Sequence, residues 1–286
     1  MRKLATLSLL FTLCAPLGAS AIDLSKLGNS LGSMKGLFGK TSPEEERALG
    51  REAAATLLGA KPALVDADVQ RYVNRVGLWV ALQSERPDLA WRFAVLDDDH
   101  VNAFATPGGF VFVTKGLFVS LGNEAELAGA LGHEIAHVVL KHHLKALTKG
   151  KRMDALSGVA LSSLSNDDPK RKELVGKVVQ GVKTLYARGL DKQDELSADR
   201  VGVVLAARAG YDPGGLVGVL QKLDALDPNS PSLALLFKTH PPPAERLAAL
   251  DDVFGTGKLD AMTGIEGRDR FVAALRSLGA QAGGGR

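Results

Sequence analysis

The 286-residue sequence has one cysteine, 5% aromatic residues and no long hydrophobic run. A single cysteine, Cys14, cannot form an internal disulfide, so a packed core must hold the chain together. The 45% of apolar residues suffice for such a core and exclude a disordered chain or a fibre. No segment has the roughly 18 consecutive apolar residues of a membrane-spanning helix, which argues against an integral membrane protein. Basic and acidic residues, 35 and 32, are nearly balanced, which gives no reason to expect a nucleic-acid partner.

The first 21 residues have the pattern of a secretory signal peptide. A basic pair at residues 2–3 precedes a short apolar run at residues 4–13, and Ala19-Ser20-Ala21 is a small-x-small cleavage site. We therefore predict secretion with cleavage after residue 21, in preference to a buried N-terminal helix. The bulky Leu13 ahead of Cys14 argues against a lipoprotein anchor.

Three segments follow this leader. Residues 22–40 mix glycine and serine with apolar residues at nearly helical spacing. Their four glycines oppose a stable helix, so we predict a flexible linker. The apolar stripe leaves a second interpretation open, a peripheral contact with a membrane surface. We place the main domain at residues 41–255, and we interpret residues 256–286 as a C-terminal extension that ends in a frayed tail.

The main domain begins with helical patterns, continues with strand patterns and returns to helices. Ser42, Pro43 and an acidic first turn predict a helix to about Leu58. Alternating apolar residues predict short strands at residues 91–95, 101–105 and 110–113, the last after a Pro-Gly-Gly turn. Apolar periodicity and end signals predict helices over residues 68–83, 125–149, 171–187, 193–209 and 214–225. Mostly helix around a small sheet is an α+β fold.

The strongest chemical signal is His133-Glu134-Ile135-Ala136-His137 inside one of the predicted helices. Residues four apart lie on one helix face, so His133 and His137 can bind the same metal ion. Glu134 lies about 100° further round the helix, where it can reach the water that such a metal activates. The pattern predicts a zinc hydrolase site.

A hydrolytic zinc site needs a third protein ligand, and two groups of residues compete for that role. If the helix continues unbroken to residue 149, His142 and His143 point away from His137, so we reject both as ligands and expect them on the solvated face. Glu195 is the other candidate, at the start of a separate predicted helix. Asp199 lies four residues later on the same face, which suits a carboxylate that holds the other ring nitrogen of a ligand histidine.

Four blocks in this order closely resemble the HtpX and CAAX-prenyl-protease family of gluzincin metallopeptidases, and most of all its Oma-type bacterial members. They are residues 102–117, residues 123–137, Glu195-Leu-Ser-Ala-Asp-Arg-Val-Gly202, and Thr239-His240-Pro241 with Arg246. The resemblance covers about residues 45–250. It implies a zincin-like domain with a small mixed sheet beside the histidine-bearing helix.

The resemblance also implies roles for individual residues. One zinc ion per chain would be held by His133, His137 and Glu195, with Glu134 as the catalytic base and Asp199 orienting a ligand histidine. His240 and Arg246 would share the negative charge of the transition state, or His240 would occupy the open zinc position in a latent enzyme. An extended peptide would pair with the edge formed by Asn102, Ala103, Phe104, Ala105, Gly108 and Gly109.

Family and leader together imply a periplasmic protein whose substrates are unfolded or misassembled envelope proteins. The alternative is a latent, chaperone-like factor for outer-membrane protein assembly in which the zinc site is mostly closed. A structural zinc protein is disfavoured, because a structural site has no use for Glu134 beside the metal.

Overall fold

The computed structural model describes residues 41–148, 165, 167–255, 259 and 263–283. The predicted signal peptide at residues 1–21 and the linker at residues 22–40 lie outside these residues. All the described residues belong to one compact unit, Phe38–Arg286. Within them, no helix is both long enough and apolar enough to cross a bilayer.

Helices dominate the described part of the chain, around one small sheet. The strands are β1 (Arg92–Leu96), β2 (Ala103–Thr106) and β3 (Phe110–Thr114). In chain order the helices are α1 (Pro43–Ala60), α2 (Ala67–Ala81), α3 (Lys115–Ser120), α4 (Glu124–Val139), α5 (His142–Thr148), α6 (Pro169–Arg188), α7 (Lys192–Arg208), α8 (Gly215–Asp224), α9 (Ala234–Thr239), α10 (Pro243–Phe254) and α11 (Arg268–Gly283). The predicted α+β fold is confirmed.

Local signals in the sequence account for the start of several helices. The Ser42 hydroxyl accepts a hydrogen bond from the Glu45 amide while the Glu45 carboxylate accepts one from the Ser42 amide, a reciprocal cap that begins α1. The Asp66 and Asn123 side chains accept hydrogen bonds from amides in the first turns of α2 and α4, which caps these helices on one side only. The helices α3, α9, α10 and α11 were not predicted.

The sheet is mixed, as the resemblance implied. Its strand order is β1-β3-β2, with β1 parallel and β2 antiparallel to β3. Among the described strands β2 therefore has one neighbour, and it forms an edge of the sheet. Gly108 and Gly109 make the β2–β3 turn with positive φ values of 77° and 96°, a conformation that glycine adopts without strain.

The prediction of one unbroken helix over residues 125–149 is wrong. Helix α4 ends at Val139, Lys141 takes a left-handed conformation with φ of 60°, and α5 starts in a new direction at His142. Neither glycine nor proline marks this break. Long-range contacts hold it: the Arg86 guanidinium donates to the Val138 carbonyl at 3.1 Å, and the Glu46 carboxylate pairs with both Arg86 and Lys141.

Helix α4 lies at the centre of the described unit, with all of its residues buried. It crosses α7 where two glycines meet: a Cβ on Gly132 would lie 2.7 Å from the Gly202 carbonyl oxygen, and one on Gly202 would lie 2.6 Å from the His133 nitrogen. The two helix backbones come so close together here that a side chain would not fit, and glycine at both positions allows this approach. This close approach brings the acidic end of α7 against the histidines of α4.

Candidate metal centre

Two histidine side chains of α4 converge inside the protein. The Nε2 atoms of His133 and His137 lie 3.0 Å apart, and both side chains are almost fully buried. Their spacing of four residues places them on one face of the helix, as the sequence predicts. Each ring uses its other nitrogen for a protein contact, so both Nε2 atoms face the same point.

Glu195 completes a group of three side chains that could hold a metal ion. Its Oε2 lies 3.6 Å from His133 Nε2, and its Oε1 lies 3.6 Å from His137 Nε2. The carboxylate is buried, and Oε2 has no hydrogen-bond partner. Donor atoms of these three residues lie within 4.8 Å of one another. A buried carboxylate oxygen without a donor beside two imidazole nitrogens is the donor set that zinc prefers, so the residues fit a divalent metal ion.

The charges around His133 and Glu195 favour the binding of a cation. Burial and Arg246 each lower the pKa of His133, but Asp199 and Glu195 outweigh them and raise it to about 9. Burial opposes ionisation of Glu195, yet His240 and His133 hold its pKa at about 2. The site therefore carries buried carboxylate charge that a cation would compensate.

Asp199 and Arg246 form a buried pair behind His133. The Asp199 Oδ1 atom lies 2.8 Å from His133 Nδ1, the placement expected for a carboxylate that orients this ring. Arg246 donates to the same carboxylate from Nε at 2.9 Å and from Nη2 at 2.6 Å. The resemblance implied that Arg246 shares the charge of the transition state with His240; the structure places its guanidinium against Asp199, whose charge it neutralises.

Glu134 lies beside these three side chains. Its side chain is buried, and it lines the adjacent pocket together with His137 and Glu195. Burial, reinforced by the Glu195 and Asp199 charges and opposed by His133, raises the pKa of Glu134 to about 7. A carboxylate with a pKa near neutrality is suited to accept and return a proton.

His240 faces the same group from the loop after α9. Its Nε2 lies 3.7 Å from Glu195 Oε2, and with His133 and Glu134 it forms a second possible metal-binding group. Its Nδ1 lies 3.0 Å from the Thr239 hydroxyl and 3.3 Å from the Leu236 carbonyl. Since a carbonyl can only accept, this contact favours a hydrogen on Nδ1, which leaves the lone pair of Nε2 on the side of the centre.

The expectation that His142 and His143 lie on the solvated face is wrong. His142 is 4% exposed, and its Nδ1 lies 3.0 Å from His137 Nδ1. His143 lines the pocket, with its ring centroid 5.1 Å from that of His137 and a buried Nδ1 atom that has no partner. The break at Lys141 is the physical reason, because it turns both rings back towards the centre. Neither histidine joins the groups of possible metal ligands found among the described residues.

An apolar pocket opens beside the centre. Strand β2 and the residues that flank it, 102–107, line one side of the pocket. Its inner end is lined by Glu134, His137, Glu195 and His240. Its apolar walls come from α1, α5 and α6 and include Ala53, Leu57, Leu147, Val182 and Leu185. The predicted substrate-binding residues Asn102, Ala103, Phe104 and Ala105 thus lie along this pocket.

Gly108 and Gly109 are not part of the pocket lining. The Gly108 amide donates to the buried Glu46 carboxylate at 3.3 Å, and the Gly109 carbonyl accepts from the Arg92 amide at 2.8 Å. Both groups are therefore used within the fold. The structure places this turn against α1 and against the chain just before β1.

Two histidines on one helix, a glutamate from a second helix and a buried carboxylate beside them define a metallopeptidase type of site. Residues 67–253 match the family model described as Peptidase family M48. This match covers more than half of the chain, and the chain therefore belongs to peptidase family M48. The family resemblance noted in the sequence is confirmed.

Individual relatives agree with this assignment. The chain is similar to Beta-barrel assembly-enhancing protease of Escherichia coli, with 29% identity over 273 residues, which are 93% of this chain and 54% of that protein. It is similar to Mitochondrial metalloendopeptidase OMA1 of Schizosaccharomyces pombe, with 28% identity over 63% of this chain and 52% of the relative. Metalloendopeptidase OMA1 of Bos taurus is 31% identical over 57% of this chain and 32% of the relative. The chain spans about half the length of the first two relatives, and less of the third.

Proposed function

We propose that this chain is a zinc metalloendopeptidase that hydrolyses peptide bonds of unfolded proteins. The observation that carries the proposal is the convergence of His133, His137 and Glu195 beside the buried Glu134, at the inner end of a pocket bordered by an edge strand. Names of the relatives support the endopeptidase class. Zinc is the metal proposed, because two imidazoles and one carboxylate with an open fourth position are its usual catalytic ligands.

The side chains around the metal have distinct tasks. When bound, zinc would make its coordinated water more acidic and polarise the scissile carbonyl. Glu134 accepts the proton of the attacking water and delivers it to the leaving amine nitrogen as the carbon–nitrogen bond breaks. Asp199 fixes the His133 ring through Nδ1, and Arg246 keeps that buried carboxylate ionised. His240 lies at the pocket, where a protonated ring would donate to the developing oxyanion.

The pocket and the edge strand support an extended peptide as the substrate. A peptide placed along β2 would add a strand to the sheet and carry its scissile bond past Glu134. The apolar walls from α1, α5 and α6 would receive a large apolar side chain next to that bond. Such side chains are exposed in unfolded proteins and buried in folded ones, which fits misassembled envelope proteins as substrates. A periplasmic location is part of this proposal, as is a peripheral membrane contact through residues 22–40.

Digestion of unfolded casein tests the hydrolase directly. Residues 22–286 are incubated with casein and zinc beside the Glu134→Gln variant, and bound zinc is measured in both. Cleavage by the wild type that falls at least about 100-fold in the variant, with zinc still bound, is the expected result. Equal cleavage by both proteins would remove Glu134 from the reaction. If neither cleaves although zinc is bound, a constitutively active peptidase is excluded.

A second candidate function is a latent, chaperone-like factor for outer-membrane protein assembly, and the tautomer of His240 favours it. With hydrogen on Nδ1, the Nε2 lone pair points towards the metal centre, where it could be a fourth ligand that closes the site. The His240→Ala variant separates the two candidates. Cleavage of casein rises if His240 closes the site, and it falls if His240 stabilises the transition state.

A further inference from the structure

Each of the two ligand histidines must present Nε2 to the metal, so each needs an acceptor for the hydrogen on Nδ1. Asp199 is that acceptor for His133, at 2.8 Å. Among the described residues no carboxylate contacts His137 Nδ1; its partner there is His142 Nδ1, at 3.0 Å. Two nitrogens in contact need one donor and one acceptor, so the tautomer of His142 decides which way this contact runs.

The surroundings of His142 Nε2 settle that tautomer. Ser197 Oγ lies 3.4 Å from this nitrogen, and the Asp194 carboxylate lies 3.6 Å from it. The Ser197 hydroxyl donates its own hydrogen to the Asp194 carbonyl at 2.9 Å, so its oxygen is left to accept. His142 therefore carries its hydrogen on Nε2, and its Nδ1 accepts from His137.

We propose that His142 is a positioning residue of the metal centre, which fixes the tautomer and ring orientation of His137 through a chain of hydrogen bonds that runs from His137 to His142, Ser197 and Asp194. Helix α7 then orients both ligand histidines, because Asp199 acts directly on His133 and Ser197 acts on His137 through His142. The inference rests on the proposed metal site and is independent of peptide hydrolysis.

The left-handed turn at Lys141 is what brings His142 into contact with His137. A residue with a side chain is strained at φ near +60°, and such strain persists where the surroundings enforce it. Here the Glu46–Arg86 pair enforces it, through contacts with Val138 and Lys141. The result is that His142 folds back against His137, which an unbroken helix could not achieve.

Metal affinity measured by chelator competition tests the proposal without using activity. His142→Leu fills the space but cannot accept from His137, and we expect its zinc dissociation constant to rise about 10–100-fold. His142→Gln, which can offer its amide oxygen to His137, is expected to recover most of that loss. His143→Leu is the matched control, an adjacent histidine at the same centre with no hydrogen bond to His137, and its zinc affinity should stay within about threefold of the wild type.

Outcomes of these titrations are distinct. Unchanged affinity in His142→Leu would overturn the proposal, and so would equal losses in His142→Leu and His142→Gln, since these would indicate packing alone. Failure of the wild type to bind zinc would instead overturn the proposed metal site. Nitrogen NMR of the zinc-loaded wild type needs no variant: a hydrogen on Nε2 of His142 and on Nδ1 of His137 is expected, and a hydrogen on Nδ1 of His142 would refute the inference.

Discussion

Helix α11 lies beyond the residues that match the family model, yet the structure makes it part of the core. Phe271 is fully buried, with its ring centroid 5.3 Å from that of Phe118 and 6.3 Å from that of Tyr72. Next to it, Arg270 Nε donates to the Glu124 carboxylate at the start of α4. The division after residue 255 in the sequence analysis thus separates two parts that pack together.

The size of this contribution follows from the burial of Phe271. Removal of a fully buried phenylalanine side chain costs about 3–5 kcal/mol, the sum of lost apolar burial and the cavity left behind. We therefore expect Phe271→Ala to lower the free energy of unfolding by about 3–5 kcal/mol, a large share of the roughly 5–15 kcal/mol that a domain has. Arg276 is exposed on the same helix, so Arg276→Ala should change the free energy by less than about 0.5 kcal/mol.

Urea unfolding followed by circular dichroism measures both variants. Residues 22–286 serve as the wild type, and the slope with urea reports whether the unfolding transition stays cooperative. A loss below about 1 kcal/mol for Phe271→Ala would refute the reasoning, since a side chain that costs so little to remove is not buried in a packed core. A large loss in Arg276→Ala would indicate that contacts of the exposed face contribute as well, since alanine itself favours the helix.

Three further predictions concern other parts of the fold and the pocket. Burial opposes ionisation of Glu124, but hydrogen bonds from Arg270, Tyr72 and Tyr211 hold its pKa below the ordinary 4.5. The stability that the ionised carboxylate contributes is therefore complete above pH 4.5 and is lost as the pH falls through the folded pKa. The difference in urea stability between the wild type and Glu124→Gln should accordingly shrink below pH 4.5. The free energy of unfolding of Lys141→Gly should lie within about 1 kcal/mol of the wild-type value. That of Lys141→Val should be about 1–2 kcal/mol lower, since a β-branched residue tolerates positive φ poorly. Val182→Trp should fill the apolar wall and raise KM for peptides with a large apolar side chain at the scissile bond, with zinc affinity unchanged; an unaltered KM would place the substrate elsewhere.

Most of the fold can be predicted from local patterns. The capped start of α1, the amphipathic face of α2 and the three alternating strands depend on residues close together in the sequence, and the structure reproduces them within a few residues. The His-Glu-x-x-His spacing likewise fixes which side chains share a face of α4, because helix geometry alone determines it.

The end of α4 could not be predicted from such patterns. Residues 138–143 contain no glycine, proline or capping residue, and the apolar run continues through Leu140. The turn depends on Glu46 and Arg86, which are far away in the sequence and reach the end of α4 only in the folded chain. An error in this one boundary was enough to place His142 and His143 on the wrong face.

Gly132 and Gly202 mark, in the sequence itself, the place where α4 and α7 cross. A glycine directly before His133, and another three residues after Asp199, weaken two helices that otherwise need no flexibility. Their positions are explained by contact, because each faces the other helix backbone at a distance that excludes a Cβ. Glycines inside helices that bear metal-binding patterns therefore predict which helices cross and where.

The spacing of Glu195, Ser197 and Asp199 in α7 follows from the histidines that each of them contacts. Glu195 would supply the third ligand of the proposed metal site, and Asp199, one turn later on the same face, reaches His133 from behind. Ser197 projects between them towards the side of α5 and reaches His142. One and a half turns of a single helix thus contact both histidines of α4, so a shift of α7 along α4 would disturb all three interactions together. The glycine crossing opposes such a shift, because a Cβ on Gly132 or on Gly202 would lie within 2.7 Å of the other helix's backbone. The specificity of the centre for one geometry therefore lies as much in Gly132 and Gly202 as in the residues that would bind the metal.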